Sequence, residues 1–563
     1  MFKELGSILP YIRRQKGQFL QGVLALILAS FFSAVIPLLI KYAVDGLKSG
    51  NGWLSLTIAA TGLAALFQGL LRYTARMRIL NAARDIEFEL RRDFYSRLMS
   101  LPYPFFKKHH RGDLIARIMN DIGNIRMMIG MGILHFSGAV TTTVVSLAMM
   151  LKLNAVITLL SIVPLAFLFL FIKVYMKRFQ HIFKEVQEAY GTLSRGVNEV
   201  LSGIRVIKNY VLQESERQRF DTLNKAYMDK NLASVKVWGA IFPSLGFLGG
   251  VGTLLVMWVG GYALIHEKIT LGDFIALNTY YMMVMWPVAA LGWILSLYQK
   301  GLASVKRLDL VNDAEVEKEE GVVLPGGPFT LSVEGLGLKK SDVPVLENVT
   351  FQAQPGEKIL IIGPTGCGKS TVLNLIVGLE EEEYEGAIRL NGTEMRSIAL
   401  SCRRRHMAVV PQDPFLYSLS IHENVSFQRD AEPLVDVVGM RDEVLRFEDG
   451  LDTVVGERGI TLSGGQKQRL TLARALSVEP SILILDDPFT HVDGFTEHLI
   501  WEKLSPMLEG KTVIIASTRP VPLHLIDQAI VLVEGAVVDQ GPPFEVLERD
   551  AYMKLLYERQ DSE

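Results

Sequence analysis

Residues 363–371 read GPTGCGKST and fit the spacing G-x-x-x-x-G-K-[ST]. Glycines at Gly363, Gly366 and Gly368 let backbone N–H groups wrap an anion. Lys369 carries a charge suited to β- and γ-phosphates, and the Ser370 hydroxyl suits Mg2+. Pro364, Thr365, Cys367 and Thr371 complete the loop, with Cys367 read as an incidental small residue. A second run, SILILDD at 481–487, drives an apolar strand into two acids, and Asp486 suits the water shell of a nucleotide-bound Mg2+. A third, LSGGQKQRLTLARAL at 462–476, places Ser463, Gly464 and Gly465 where a helix can begin with close backbone approach, a second phosphate-gripping device. Two such surfaces on one domain imply two domains that sandwich nucleotide between them. Asp487 poses a chemical question: a hydrolase wants a longer carboxylate there, because a general base must come within about 2.6–3.2 Å of its water.

The elements around these motifs alternate in type. EKILIIG precedes the first loop and STVLNLIVGL follows it; SILILDD is followed by EHLIWEKL. Short β-branched strands alternating with helices predict an α/β domain with a mostly parallel sheet over 329–563. An acidic, turn-rich segment, NDAEVEKEEGVVLPGGP, makes 311–328 a linker. The four glutamates at 380–383 read as a solvated loop.

Residues 1–310 differ in kind. The whole chain of 563 residues is 49% hydrophobic and 21% charged, with a mean hydropathy of +0.26, which places part of it in lipid. Apolar stretches near 20–44, 53–73, 127–151, 155–175, 237–265 and 274–298 each have the roughly 20 residues that cross about 30 Å of hydrocarbon. Six spans are therefore expected. The connecting segments near 76–126 and 177–235 are long, helical in period and rich in Lys and Arg, so they extend into water. That charge excess predicts cytoplasmic N- and C-termini. The N-terminal MFKELGSILPYIRRQKGQF carries no cleavage signature and is expected to lie on the membrane as a short amphipathic helix. A net charge of −2 excludes a whole-chain bias toward nucleic acid, and two cysteines exclude a disulfide scaffold.

Taken together, these motifs resemble the ATP-binding cassette exporters, specifically a half-transporter with fused membrane and nucleotide-binding domains, and the resemblance spans essentially the whole chain. It implies a six-span α-helical transmembrane domain with long cytoplasmic extensions, then a P-loop ATPase domain, with ATP and Mg2+ as cofactors. It assigns nucleotide contact to Gly363, Pro364, Thr365, Gly366, Cys367, Gly368, Lys369, Ser370 and Thr371. Gln412 of VVPQD would touch Mg2+ beside Ser370 and, through water, Asp486. Ser463, Gly464, Gly465 and Gln466 would close a partner's site, Asp493 would end the dimer-interface loop, and Glu457 of GERG would contact the other half's intracellular helices. Coupling helices are expected near 105–118, capped by Asp113, and near 207–216. His109 and His110 read as interfacial residues, with no third ligand at useful spacing.

Three positions depart from the family pattern. Asp487 stands where the catalytic glutamate follows Asp486. Thr518, in TVIIASTRP, stands where a histidine contacts the γ-phosphate. The adenine-stacking tyrosine falls near Lys340, with no aromatic close by. A small misplacement of a catalytic group can lower a rate by about 10²-fold, and a neutral hydroxyl cannot donate a charge-assisted bond. With an intact signature beside an altered Walker side, the resemblance implies the degenerate half of a heterodimer whose partner carries the catalytic glutamate, the switch histidine and an altered signature. The expected cargo is amphipathic, drug-like or lipid-like, moved across a bacterial inner membrane. The sixth span supplies adaptable side chains at Met282, Met283 and Met285 and a kink at Pro287, with plain helix packing as the alternative. Arg72 and Tyr73 could meet an anionic substrate, or Arg72 could snorkel to the interface. Competing readings are a homodimer with slow ATPase, a siderophore-type importer, a channel or receptor-like subunit, and a mechanical ATPase.

Overall fold

The computed structural model describes residues 5–49, 54–317, 319–340, 343–379, 384–427, 429–456 and 462–560. It divides into two units: Met1–Met99 with Arg111–Ala314, and Ser100–His110 with Glu315–Glu563.

The first unit is helical. Among the described residues, five helices are long and apolar enough to cross a membrane: Lys16–Leu47, Leu54–Met99, Arg111–Leu153, Gly246–Ile265 and Leu271–Asn312. The apolar helical stretch Ala155–Phe171, where the fourth crossing is expected, is shorter than that criterion. Leu54–Met99 runs 46 residues, about 70 Å at 1.5 Å per residue, so it must extend well beyond a 30 Å apolar layer. Local chemistry starts these helices. Asn154 caps Ala155–Ser202 by accepting from the N–H groups of Val156 and Ile157. Thr270 and Asp273 form a reciprocal capping box at the head of Leu271–Asn312.

The charged extensions are held by ion pairs. Glu87 is clamped by Arg84, Arg91 and Arg126. Asp113, expected as a cap, lies in the first turn of helix Arg111–Ala116, where its carboxylate accepts from Arg117 and Arg307. Two guanidiniums outcompete a helix cap for that carboxylate, because charge-assisted bonds are roughly twice as strong as neutral ones. The short helix Tyr103–Lys108, which belongs to the second unit, has Pro102 as its N-cap and no side-chain cap. A second short helix occupies Ile204–Asn209, and Val211, with φ +57°, turns the chain before helix Gln213–Ile265; the segment expected at 207–216 straddles that turn. At the N-terminus, helix Leu9–Arg14 is tied down by Tyr11, which donates to Asp93, and by Arg14, paired with Glu89.

The second unit contains two sheets. Strands β1 (Leu331–Lys340), β2 (Val343–Ala353), β3 (Lys358–Ile362), β4 (Glu385–Leu390), β5 (Thr393–Glu394), β6 (Met407–Val410), β7 (Ile482–Asp486), β8 (Thr512–Ser517), β9 (Gln528–Val533) and β10 (Ala536–Gly541) follow in chain order. A four-stranded antiparallel sheet has the order β2-β1-β4-β5, and a six-stranded sheet the order β10-β9-β3-β8-β7-β6. In the latter only β10 runs antiparallel. Alternation along its central strands feeds two cores. Leu360, Ile362, Leu483, Leu485, Val513 and Ile515 face one layer, and Ile359, Ile361, Ile482, Ile484 and Ile514 the other. That is why these strands read as continuous apolar runs: both faces of a parallel sheet are covered.

Candidate nucleotide site

The loop 363–368 leaves the buried end of β3 and enters helix Lys369–Val377. Gly366 and Gly368 adopt φ of +86° and +105°, the left-handed region that glycine enters without strain. Gly363 answers to space instead: a Cβ there would lie 2.0 Å from the Leu532 carbonyl oxygen and 2.9 Å from Cys367 Sγ. Cys367 is buried in the apolar layer, with its Sγ 3.8 Å from Lys369 Nζ. Lys369 is only 5% exposed, and its Nζ donates to the carbonyls of Gly363 (2.7 Å) and Pro364 (3.0 Å). The loop thus wraps its own ammonium group, and Pro364 and Thr365 stand more openly beside it. Thr371 follows in the first helical turn, partly buried.

Ser370 and Asp486 meet directly, the Ser370 Oγ donating to Asp486 Oδ1 at 3.0 Å. Parallel pairing of β7 with β8 and β8 with β3 brings the ends of these strands together and so delivers Asp486 to the head of the P-loop helix. Burial pushes the Asp486 carboxyl above the ordinary carboxylate range, and neighbouring Asp487 pushes the same way, against Ser370 and Lys369. A hydroxyl and a partly desolvated carboxylate in contact, beside a buried ammonium and a glycine loop at a helix N-terminus, fit Mg2+ and a polyphosphate.

Asp487 adopts φ +46°, a left-handed conformation that aspartate tolerates better than most residues. Its N–H donates to Ala516 O at 2.9 Å, continuing the β7–β8 register by one residue. Its carbonyl accepts from the Thr490 hydroxyl and from Gln468 Nε2. Its carboxylate turns onto Thr518: Oδ1 accepts from the Thr518 N–H at 2.8 Å and the Thr518 hydroxyl at 3.1 Å. Two of the three positions that depart from the family pattern are therefore partners.

The third element is the helix Gly464–Ser477. Ser463 accepts from the Gln466 N–H, and Gln466 Oε1 accepts in return from the Ser463 N–H, a capping box. Gly465 is required by proximity, since a Cβ there would lie 2.6 Å from His491 O, and Gly464 rests against the His491 ring. Among the described residues, no hydrogen bond joins Ser463–Gln466 to the loop 363–371. Asp493 caps helix Gly494–Leu504 through the Thr496 N–H at 3.0 Å, and that backbone bond holds its carboxyl below the usual range. Gln412 lies exposed two residues after β6, without a hydrogen bond to Ser370 or Asp486. β1 ends at Lys340. Glu457 lies outside the described residues.

Several organising residues escaped the sequence reading. Gln468 accepts from the His491 N–H and donates to the Asp487 carbonyl, tying the signature helix to the acid turn. Arg474 donates to Phe415 O and to Asn424 O and Oδ1, fastening the segment after Gln412 to that helix. The S-x-x-E run at Ser420–Glu423 was a legible signal for the Asn424 helix, whose capping box is formed.

Residues 19–288 match the ABC transporter transmembrane region and residues 346–490 the ABC transporter family. Over 570 residues the chain is 31% identical to the multidrug resistance-like ATP-binding protein MdlA of Escherichia coli (strain K12), covering 98% of this chain and 96% of that one. It is 26% identical to the ATP-dependent lipid A-core flippase of Syntrophus aciditrophicus (strain SB), covering 99% of this chain and 94% of the other. Among solved structures, an ATP-bound bacterial Atm1-family ABC exporter superposes with a TM-score of 0.80 over 98% of this chain and 99% of that one. Its identity of 23% speaks for the fold alone.

Proposed function

Because this chain belongs to the ABC transporters, as an exporter half-transporter with fused transmembrane and ATP-binding domains, we propose that it works as the degenerate half of a heterodimer. In that reading its own Walker side holds ATP without hydrolysing it efficiently, while Ser463, Gly464, Gly465 and Gln466 complete the partner's hydrolysing site. ABC exporters are ATP-hydrolysing transporters that work as dimers, so the proposal concerns which site does the chemistry.

The observation that carries it is the Asp487–Thr518 pair. An attacking water needs a free carboxylate within hydrogen-bond reach. Here the shorter acid spends Oδ1 on a backbone N–H and a hydroxyl, and Thr518 has no charge to offer a γ-phosphate. Nucleotide binding, by contrast, keeps its proposed groups. Lys369 would turn from its loop carbonyls to the β- and γ-phosphates, and Ser370 and Asp486 would hold Mg2+, with Gln412 approaching from its exposed loop. When bound, Mg2+ neutralises phosphate charge and fixes phosphate geometry. Asp493 would shape the loop facing the partner.

For the membrane half we propose six spans, with Ala155–Phe171 beginning the fourth, both termini cytoplasmic and residence in a bacterial inner membrane. The domain limits proposed are 1–310, 311–328 and 329–563. Relatives named for multidrug resistance and for lipid A flipping support an amphipathic cargo. So does a cavity of about 470 Å³ lined by Met257, Met282 and Met285, since thioethers adapt to varied apolar shapes.

The test is steady-state ATPase of the chain alone in lipid, beside Lys369→Ala, with ATP binding measured on the same sample. Binding with negligible turnover is expected, with activity restored by a half-transporter that carries the catalytic glutamate and lost when that glutamate is changed. Brisk Lys369-dependent turnover by this chain alone would overturn the proposal.

A further inference from the structure

Helices Arg111–Leu153, Ala155–Ser202 and Leu271–Asn312 of the membrane unit enclose a cavity of about 630 Å³. That volume falls in the range of roughly 300–1,000 Å³ that takes a drug-sized ligand. Its floor is fixed by close packing: the chain widens into a π-helical turn at Met128–Gly132, and Met128 seats against Gly301, where a Cβ would stand 2.5 Å from the Met128 side chain. A π-turn inside a helix re-aims side chains and often marks a working site. The walls are apolar, with Phe136, Phe169 and Leu295 each about half exposed to the space around them.

Among the described residues the lining has one charge. Lys177 stands beyond the apolar stretch Ala155–Phe171, with Gln180 one turn further on and Gln299 on the facing helix. Among the described residues no carboxylate lines the cavity and Lys177 takes part in no ion pair. An apolar chamber with one unneutralised cation at its polar edge discriminates by charge: an anion is attracted and a cation repelled, more strongly than in bulk water.

We propose that this cavity binds a drug-sized anionic amphiphile, its apolar body against Phe136, Phe169 and Leu295 and its negative group on Lys177. This names the cargo class for the export reading above and rests on it, but its test reads binding rather than hydrolysis, so the two fail separately. The apolar walls account for affinity without shape specificity. Lys177 sets the sign of the head group, and the amides of Gln180 and Gln299 can share its hydrogen bonds.

The full-length chain in phosphatidylcholine nanodiscs is titrated with two pyrene-labelled probes of identical chain, one ending in a carboxylate and one in trimethylammonium, with empty discs subtracted. ATP binding on the same samples reports that each variant is folded. The carboxylate probe is expected to bind about tenfold more tightly, a difference near 1.4 kcal/mol. Lys177→Gln should abolish that preference without weakening the cationic probe, and Lys177→Arg should keep it. Gly132→Leu should weaken both probes, because a Cβ at Gly132 meets only Met127 O at 3.7 Å and the added chain can enter the cavity without disturbing the helix. Equal binding of the two probes, an unchanged preference in Lys177→Gln, or undiminished binding in Gly132→Leu would overturn the proposal. Displacement of the carboxylate probe by phosphatidylglycerol in the disc would also overturn it, by assigning the cavity to a bilayer lipid.

Discussion

Asp487 Oδ1 accepts two hydrogen bonds from one residue, from the N–H of Thr518 at 2.8 Å and from its hydroxyl at 3.1 Å. The strands dictate this meeting. Asp486 pairs with Ala516 in the parallel β7–β8 register, so the residues that follow the two strands turn toward each other at the same edge of the sheet. Changing one position alone leaves the other unmatched, which makes the pair a unit.

Restoring hydrolysis at this site should therefore need both positions. With the partner's catalytic glutamate neutralised, Asp487→Glu/Thr518→His is expected to raise ATPase at least tenfold over the native chain. Each single variant should gain much less, since contacting residues couple rather than add and acid–base catalysis supplies about 10²–10⁴-fold. Steady-state phosphate release against a Lys369→Ala baseline measures it. Singles whose gains multiply to that of the double would show that the two positions act independently.

Binding at the same site should weaken on acidification sooner than an exposed aspartate would allow. Asp486 has its folded pKa raised above the ordinary 3.8, chiefly by burial. The carboxylate needed for Mg2+ is therefore lost, as pH falls, at a higher pH than for an exposed aspartate. The sign for folding is the opposite: a raised acid favours the protonated native state, and that contribution fades as pH rises through the folded pKa. Asp486→Asn is accordingly expected to melt higher than the native chain at neutral pH without nucleotide, by a few degrees for about 1 kcal/mol, and to lose the Mg2+-dependent part of ATP stabilisation. Thermal melts at pH 5 to 8, with and without Mg-ATP, measure both effects; an unchanged Mg2+ dependence in the variant would contradict the assignment.

Glycines of the phosphate loop should divide by cause. Gly363→Ala forces a Cβ against the Leu532 carbonyl, and overpacking of that kind costs about 1–3 kcal/mol. Gly366→Ala meets open space and pays only for its φ of +86°, about 1 kcal/mol. The expected order of cassette melting is native, then Gly366→Ala, then Gly363→Ala. The reverse order would mean that backbone strain, not proximity to β9, governs the loop.

Much of the site was legible because its chemistry is local. The spacing of Gly363, Gly368, Lys369 and Ser370 and the S-x-x-Q box at Ser463–Gln466 each work within one turn of chain. The apolar runs of β3 and β7 were legible for a related reason, as their two-sided burial leaves no alternation to misread. What escaped depends on register or on contacts between distant elements. Nothing near Asp487 in sequence announces Thr518 as its partner, and Gln468 joins the acid turn to the signature helix only once both are folded. In the membrane unit the charged segments were legible as helical, but the three guanidiniums on Glu87, one of them on another helix, require the packed bundle. The capping role expected of Asp113 failed for the same reason, since Arg307 is far away in sequence.

The C-terminal helix should govern how firmly Thr518 is held. The Tyr557 hydroxyl accepts from the Val521 N–H at 2.9 Å and donates to the Val521 carbonyl at 2.7 Å, fixing the chain just beyond Thr518 and Arg519. Burial pushes this phenol up from 10.0 to about 12. Its contribution to stability is thus fully present below pH 10 and lost as pH rises through about 12. Tyr557→Phe removes both bonds and strands the Val521 N–H and carbonyl, which should destabilise the cassette by about 1–3 kcal/mol. Between pH 7 and 9 the deficit should stay constant, because the native phenol keeps its proton throughout that window. Hydrogen exchange at the Thr518 amide should quicken in the variant if the clamp reaches the Asp487 pair. A lower melting temperature with unchanged exchange at Thr518 would confine Tyr557 to packing the C-terminal helix and separate it from the nucleotide site.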